Sequence, residues 1–247
     1  MSLPSFRSLF AIVFLATMGL ARAGTEDAIL AKARAYAGPE AALNAVTSVH
    51  FVGSLDTGDG SRVAIEIIFQ KPSQQKVIAT GPNLIEVTAL DDYEGWMRTQ
   101  DAKDPSRWNL VLLQGDQVRR LQANVVENLN FFRSSTFTGT ITDGGIIELE
   151  GRKAHRVSFD HGHGIVFTRY FDEETGRMMR TETDQSSVIR EEGEVLVNGI
   201  RFPKRILNTN PQADGTVRTV TIEIEKVSVN EVFAASLFAV PMFSSSL

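Results

Sequence analysis

Tyr170-Phe171, then Asp172-Glu173-Glu174-Thr175-Gly176, then Met178-Met179 places an apolar pair, a polar turn and a second apolar run in ten residues. The unit recurs downstream. Val195-Leu196-Val197 passes through Asn198-Gly199 into Ile200-Arg201-Phe202-Pro203, and alternation resumes from Val217 to Val229. A two-residue type I′ turn needs positive φ at both centres, which Asn and Gly accept. Asn198-Gly199 therefore sets Val197 opposite Ile200 and Val195 opposite Phe202, all on one face. In the last run Val220, Ile222 and Ile224 share a face before the apolar phase moves to Val227 and Val229. That switch predicts a bulge or bend near Lys226, a device that lets a large sheet curl.

Upstream of this block, strands are expected over 146–150, after the Asp143-Gly144-Gly145 turn signal, and over 154–159 and 165–171. Residues 177–183, 188–197, 200–207 and 216–229 continue the series, with 208–214, including Pro211, as a hairpin loop. Nearer the N-terminus the period changes to two at Val49. Val63, Ile65, Ile67 and Phe69 then alternate with Arg62, Ala64, Glu66 and Ile68, and shorter strands follow at 76–80, 84–90 and 95–98. Short strands with turn signals at this spacing form an antiparallel meander.

Two segments before it, and one within it, are helical. Thr25 with Glu26-Asp27 suits a helix start, Ile29, Leu30, Ala33 and Ala37 make its apolar stripe, and Gly38-Pro39 ends it. A second short helix covers 40–46. From Asp116 to Phe132, Val118, Leu121, Val125, Leu129 and Phe132 recur at steps of three and four, with Val126 and Phe131 widening the stripe. A lone helix inside a meander has to cover sheet surface, and that surface is either permanent core or an openable cavity.

The first 23 residues read as a secretory leader. Arg7 supplies the positive start, Leu9 to Leu20 the apolar stretch, and Ala21-Arg22-Ala23 a small-residue cleavage site before Gly24. The run is shorter than the roughly 20 residues that span a bilayer, so an exported protein, soluble after cleavage, is expected, with one domain over 24–247. The 247-residue chain contains no Cys, which excludes disulfides, thiolate chemistry and Cys-based zinc sites. Its formal net charge of −5 becomes more negative when Arg7 and Arg22 leave with the leader. Acidity of this kind argues against nucleic acid as a partner.

In order along the chain, several of these motifs resemble the LolA/LolB-like superfamily of outer-membrane lipoprotein-sorting proteins. They are Gly38-Pro39-Glu40-Ala41-Ala42-Leu43, Asp92-Tyr93-Glu94-Gly95-Trp96, the Tyr170 to Gly176 turn, Asn198 to Pro203 and the closing Asn230 to Pro241 segment. The resemblance implies an α+β protein, mainly antiparallel β: a strongly curved half-open β-barrel with helices covering its concave face. It also implies an apolar cavity for acyl chains and a Gram-negative periplasm. The expected function is a carrier or binding protein for lipid or lipidated ligands, with lipid or an acylated protein as partner, and no enzyme. A sensor or interaction module on the same fold, contacting an inner- or outer-membrane protein, is the alternative.

The expected ligand-binding residues are Leu121, Val125, Leu129, Phe131 and Phe132 on the lid, with Trp96 either in the cavity wall or in ordinary sheet core. Trp108, beside the polar Asp104-Pro105-Ser106-Arg107, suits a loop or rim. His161-Gly162-His163 after Asp160 is the one sequence that suggests a metal or an acid–base pair. Its glycines read as an exposed turn, and zinc catalysis needs three placed ligands. Asp91-Asp92 and Glu191-Glu192 are neighbours on strands and so point to opposite faces. No catalytic residue, metal or cofactor is therefore expected.

Overall fold

A computed structural model describes residues 25–212 and 214–241. The leader read over 1–23 lies outside the described residues. Among the described residues there are three α-helices: α1 (Thr25–Ala37), α2 (Glu40–Asn44) and α3 (Asp116–Leu129). Six strands precede α3: β1 (Ser48–Asp56), β2 (Arg62–Gln70), β3 (Gln74–Thr80), β4 (Leu84–Asp91), β5 (Glu94–Asp101) and β6 (Trp108–Leu113). Seven follow it: β7 (Thr140–Leu149), β8 (Arg152–Asp160), β9 (Val166–Asp172), β10 (Met178–Thr183), β11 (Val188–Val197), β12 (Ile200–Pro211) and β13 (Val217–Val229).

All thirteen strands form one antiparallel sheet in the order β6-β5-β4-β3-β2-β1-β13-β12-β11-β10-β9-β8-β7. The chain enters at the middle, meanders out to β6, and resumes at β7 on the opposite edge before meandering back to pair β13 with β1. β6 and β7 do not pair with each other, so the sheet stays open. The chain between these edges carries α3, which lies over β2 to β5.

The Asn198-Gly199 turn has φ of 52° and 79°, with Val197 opposite Ile200 and Val195 opposite Phe202, as its sequence requires. The phase switch in β13 is also a bulge. Val52 pairs with Lys226 but Gly53 with Ile224, which leaves Glu225 unmatched. A Cβ on Gly53 would stand 1.9 Å from the carbonyl oxygen of Glu223, so the bulge admits only glycine there.

Three expectations are corrected. Asp143-Gly144-Gly145 is not a turn before a strand but a bulge within β7, where the register shifts between Asp143 and Ile146. β12 continues through Pro211, so most of 208–214 is strand; long pairing with β13 outweighs its polar composition. The edge strand β6 has no clear alternation, because Trp108, Val111 and Leu112 are all exposed. Trp108 is its first residue, not part of a loop.

Two apolar clusters fill the concave side. In one, Val118, Val125 and Leu129 of α3 meet Val49, Phe69, Leu90 and Phe202, joined by Leu43 of α2. In the other, Ile29, Leu30 and Ala33 of α1 pack on Val157, Phe159 and Phe171. Each large side chain buried here contributes about 1.5–3 kcal/mol. A third cluster lies on the outer face, where Val87, Ala89 and Trp96 pack with Val240 of the C-terminal segment. Trp96 Nε1 donates to the Phe238 carbonyl at 2.8 Å, and Lys76 Nζ donates to that of Leu237 at 2.9 Å.

The bulge predicts that Gly53→Val separates the central β1–β13 pair and destabilises the protein by at least about 3 kcal/mol in urea unfolding. Gly60, at φ 86° with nothing within 4 Å of its Cβ position, provides the contrast. Gly60→Ala is expected to cost only about 1–2 kcal/mol, the backbone term alone.

Candidate functional site

The two concave clusters leave a cavity of about 220 Å³ between them. α1 and the C-terminal end of α3 roof it, and Phe51, Ile67 and Phe69 of β1 and β2 form one wall. The other wall comes from β9 to β12. There the sheet partly splits: between β10 and β11 only Thr181–Ile189 and Glu182–Val188 are paired. Beyond these pairs, Arg177 and Met178 line one side of the cavity, and Glu191, Gly193 and Glu194 line the other.

The roof is anchored where α3 ends. Phe131 and Phe132 have φ of 46° and 61°, left-handed conformations that cost L-residues about 1–2 kcal/mol each. The two turns splay the rings apart. Phe131 packs edge-to-face on Phe202 at 6.3 Å, and Phe132 on Phe171 at 5.0 Å, so the pair staples one apolar cluster to the other. Buried Arg34 holds this backbone. Its Nη1 donates to the carbonyls of Asn130 (3.0 Å) and Phe131 (2.7 Å). Nε and Nη2 are held by Glu40 at 2.9 and 2.8 Å, and Nη2 also reaches Asn44 at 3.0 Å. The hydrogen bond from Arg34 keeps the Glu40 carboxyl below its usual range. A fixed cation at the negative end of α3 is favourable as well.

Two more polar ties fasten α3. Glu127, buried on its inner side, accepts from Arg169 Nη2 at 2.6 Å and lies 2.8 Å from His161 Nε2. Arg169 is itself buried and stacks on Phe132 at 4.7 Å. On the outer side, both Nη atoms of Arg120 bind Asp184 at 3.1 and 2.7 Å, and these bonds hold the Asp184 pKa down against the effect of burial.

The expected residues therefore have different roles. Val125 and Leu129 are buried in the core beneath α3, and Leu121 packs partly buried against it. Phe131 and Phe132 line the cavity. Trp96 lies on the opposite face of the sheet, under the C-terminal segment, and takes no part in the cavity wall. The reason is parity: Gly95, its neighbour, faces α3, where a Cβ would meet Val118 at 3.2 Å.

The turn after β8 is exposed at Gly162, His163 and Gly164, but the His161 side chain points inward. It bonds Glu127 between the rings of Phe137 and Phe167, whereas the His163 side chain is exposed. Among the described residues, no group of three or more His, Asp or Glu side chains is gathered to hold a metal.

Sequence reading missed Arg34, Glu127 and Arg169, and it set Glu191 aside as one of a strand pair that does not converge on one face. A charged residue on an apolar-faced helix, such as Glu127 beside Leu129, was the available signal. Glu191 is half-buried and borders the cavity, so part of its surface meets that space. Burial raises its pKa, and the nearby charges of Arg169 and Arg177 oppose the shift only in part.

No protein-family model and no curated protein matches the chain. Solved structures do. A LolA superfamily protein from Nitrosomonas europaea aligns with a TM-score of 0.54 and 13% identity, over 88% of this chain and 98% of its own. A domain from Vibrio parahaemolyticus named for outer membrane lipoprotein sorting aligns with a TM-score of 0.54 and 7% identity, over 86% and 97%. The fold is LolA-like: a curved, unclosed antiparallel sheet with helices on its concave side. Among the described residues, no helix is long and apolar enough to cross a membrane.

Removing Glu127 leaves Arg169 charged and buried without its partner, so Glu127→Ala should destabilise the fold by about 3–5 kcal/mol. The double variant Glu127→Leu/Arg169→Met should recover most of that loss in the same denaturant titration.

The raised pKa of Glu191 makes a separate prediction. The folded state binds the proton more tightly than the unfolded chain, so the group's relative contribution is best below the ordinary Glu pKa and declines as pH rises. Glu191→Gln should therefore raise the melting temperature at pH 8 and leave it nearly unchanged at pH 4.

Proposed function

We propose that residues 24–247 act as one binding domain that holds acyl chains of lipids or lipidated proteins, as a periplasmic carrier after removal of the leader. The observation that carries this reading is the position of the cavity. It lies beneath α1 and the C-terminal end of α3, beside the partial split between β10 and β11, and side-chain contacts rather than a β-ladder attach α3 to the strands below. The roof can therefore move without unpairing a strand. Five phenylalanines, at 51, 69, 131, 132 and 202, border the space it covers.

The closed cavity is smaller than the roughly 300–1,000 Å³ usual for ligand pockets, so a long chain enters only as α3 shifts. Displacing Leu121, Val125, Leu129 and Phe132 forfeits about 1.5–3 kcal/mol for each side chain that becomes exposed. Each buried methylene returns about 0.8 kcal/mol, so a chain of about a dozen methylenes balances full displacement. Shorter chains leave the lid closed. The ligand thus selects the open state by the surface it replaces.

Native mass spectrometry tests this directly. Delipidated protein incubated with a triacylated lipopeptide should form a one-to-one adduct. Phe131→Glu/Phe132→Glu should weaken uptake by at least about tenfold while retaining the circular dichroism spectrum of the sheet. Wild-type protein that stays empty with the lipopeptide and with phospholipid would refute the proposal.

A further inference from the structure

The cavity is not uniformly apolar. Three acids and three arginines border it: Glu127, Glu191 and Glu194 with Arg169, Arg177 and Arg201. Two acids are paired with two of the arginines, Glu127 with Arg169 and Glu194 with Arg201. Glu191 has no hydrogen-bond or ion-pair partner among the described residues; it only feels the fields of Arg169 and Arg177. It shares the cavity face with its cross-strand neighbour Ile206, directly beside the split between β10 and β11. Arg169 meets Glu127 through Nη2, and its buried Nε has no hydrogen-bond partner among the described residues. Arg177 is exposed at the other lip of the split and makes no ion pair among the described residues. One end of an otherwise phenylalanine-lined cavity therefore offers an uncommitted acceptor next to uncommitted guanidinium donors.

Resting on the acyl-binding reading above, we propose that this end recognises the amide of an N-acyl group. The amide N–H donates to the Glu191 carboxylate, its carbonyl accepts from Arg169 or Arg177, and the attached chain runs along Phe51, Phe69 and Phe202. The alternatives fit less well. An ammonium head would place a third positive charge beside the two arginines, and a fatty-acid carboxylate would face Glu191. An ester satisfies the arginines but offers no donor to the acid. An amide carries a donor and an acceptor on opposite sides of one rigid plane and adds no charge to a desolvated site. A half-buried acid without a partner is better satisfied once something donates to it, so Glu191 makes the cavity selective for a ligand that does. The same amide occurs in acylated amino acids and in acylated amino sugars.

Displacement of a fluorescent acyl probe by N-methylpalmitamide and by methyl palmitate, which differ only in N–H against O, isolates the contact. Wild-type protein is expected to bind the amide about tenfold or more tightly, the worth of one charge-assisted hydrogen bond. Glu191→Leu should erase the preference while keeping the affinity for the ester, and Glu191→Gln, whose amide oxygen still accepts, should retain part of it. Equal binding of amide and ester by the wild type overturns the inference and leaves acyl binding standing. Failure to bind either overturns both. N-palmitoylglycine methyl ester and N-palmitoylglucosamine then separate the two sources, the tighter ligand naming the one the site fits.

Discussion

The structure depends on one topological constraint: a thirteen-stranded antiparallel sheet whose outermost strands, β6 and β7, never meet. A closed barrel would satisfy those edges with each other and fill its interior with side chains. Here the chain has to travel from one edge to the other, and the route it takes carries α3 across the concave face. The helix buries its apolar stripe there because no closing strand does so. From that single arrangement follow the split into two apolar clusters, the cavity between them, and a roof held by side chains.

The attachments of that roof are unlike those of a permanent core. Arg34 binds backbone carbonyls at the C-terminal end of α3, Glu127 enters a buried network with Arg169 and His161, and Arg120 grips Asp184 from outside. Polar ties of this kind are directional: they fix one closed position and contribute little once their geometry is lost. Phe131 and Phe132 add the complementary device, since their left-handed backbone is unfavourable in itself and is held by Arg34 and by the packing of both rings. Apolar burial and polar fastening thus meet at the same two residues, which also border the cavity.

Much of the sheet was legible in the chain because antiparallel pairing is local. Asn198-Gly199 specifies its own hairpin, and the phase change from Ile224 to Val227 marks the bulge opposite Gly53. Where local signals failed, pairing was decided elsewhere. β6 lacks alternation because it is an edge with little above it, and the polar end of β12 is held straight by β13. Asp143-Gly144-Gly145 carries the signal of a turn and forms a bulge, because the two use the same residues.

The sequence by itself determined the antiparallel meander, the amphipathic helix between strands and the resemblance to the LolA-like fold, since these are matters of period and turn chemistry. Which face each residue serves was decided only by the tertiary structure. Trp96 went to the outer surface by a parity set through the β4–β5 register, and His161 went to the lid through contact with a helix more than thirty residues away. Arg34, Arg169 and Glu191 acquire their meaning only from groups brought together across the concave face. The physical reason is range: hydrogen-bonded ladders and helical turns are encoded by neighbours in the chain, whereas a cavity wall is assembled from strands and helices that meet only after the sheet has curled.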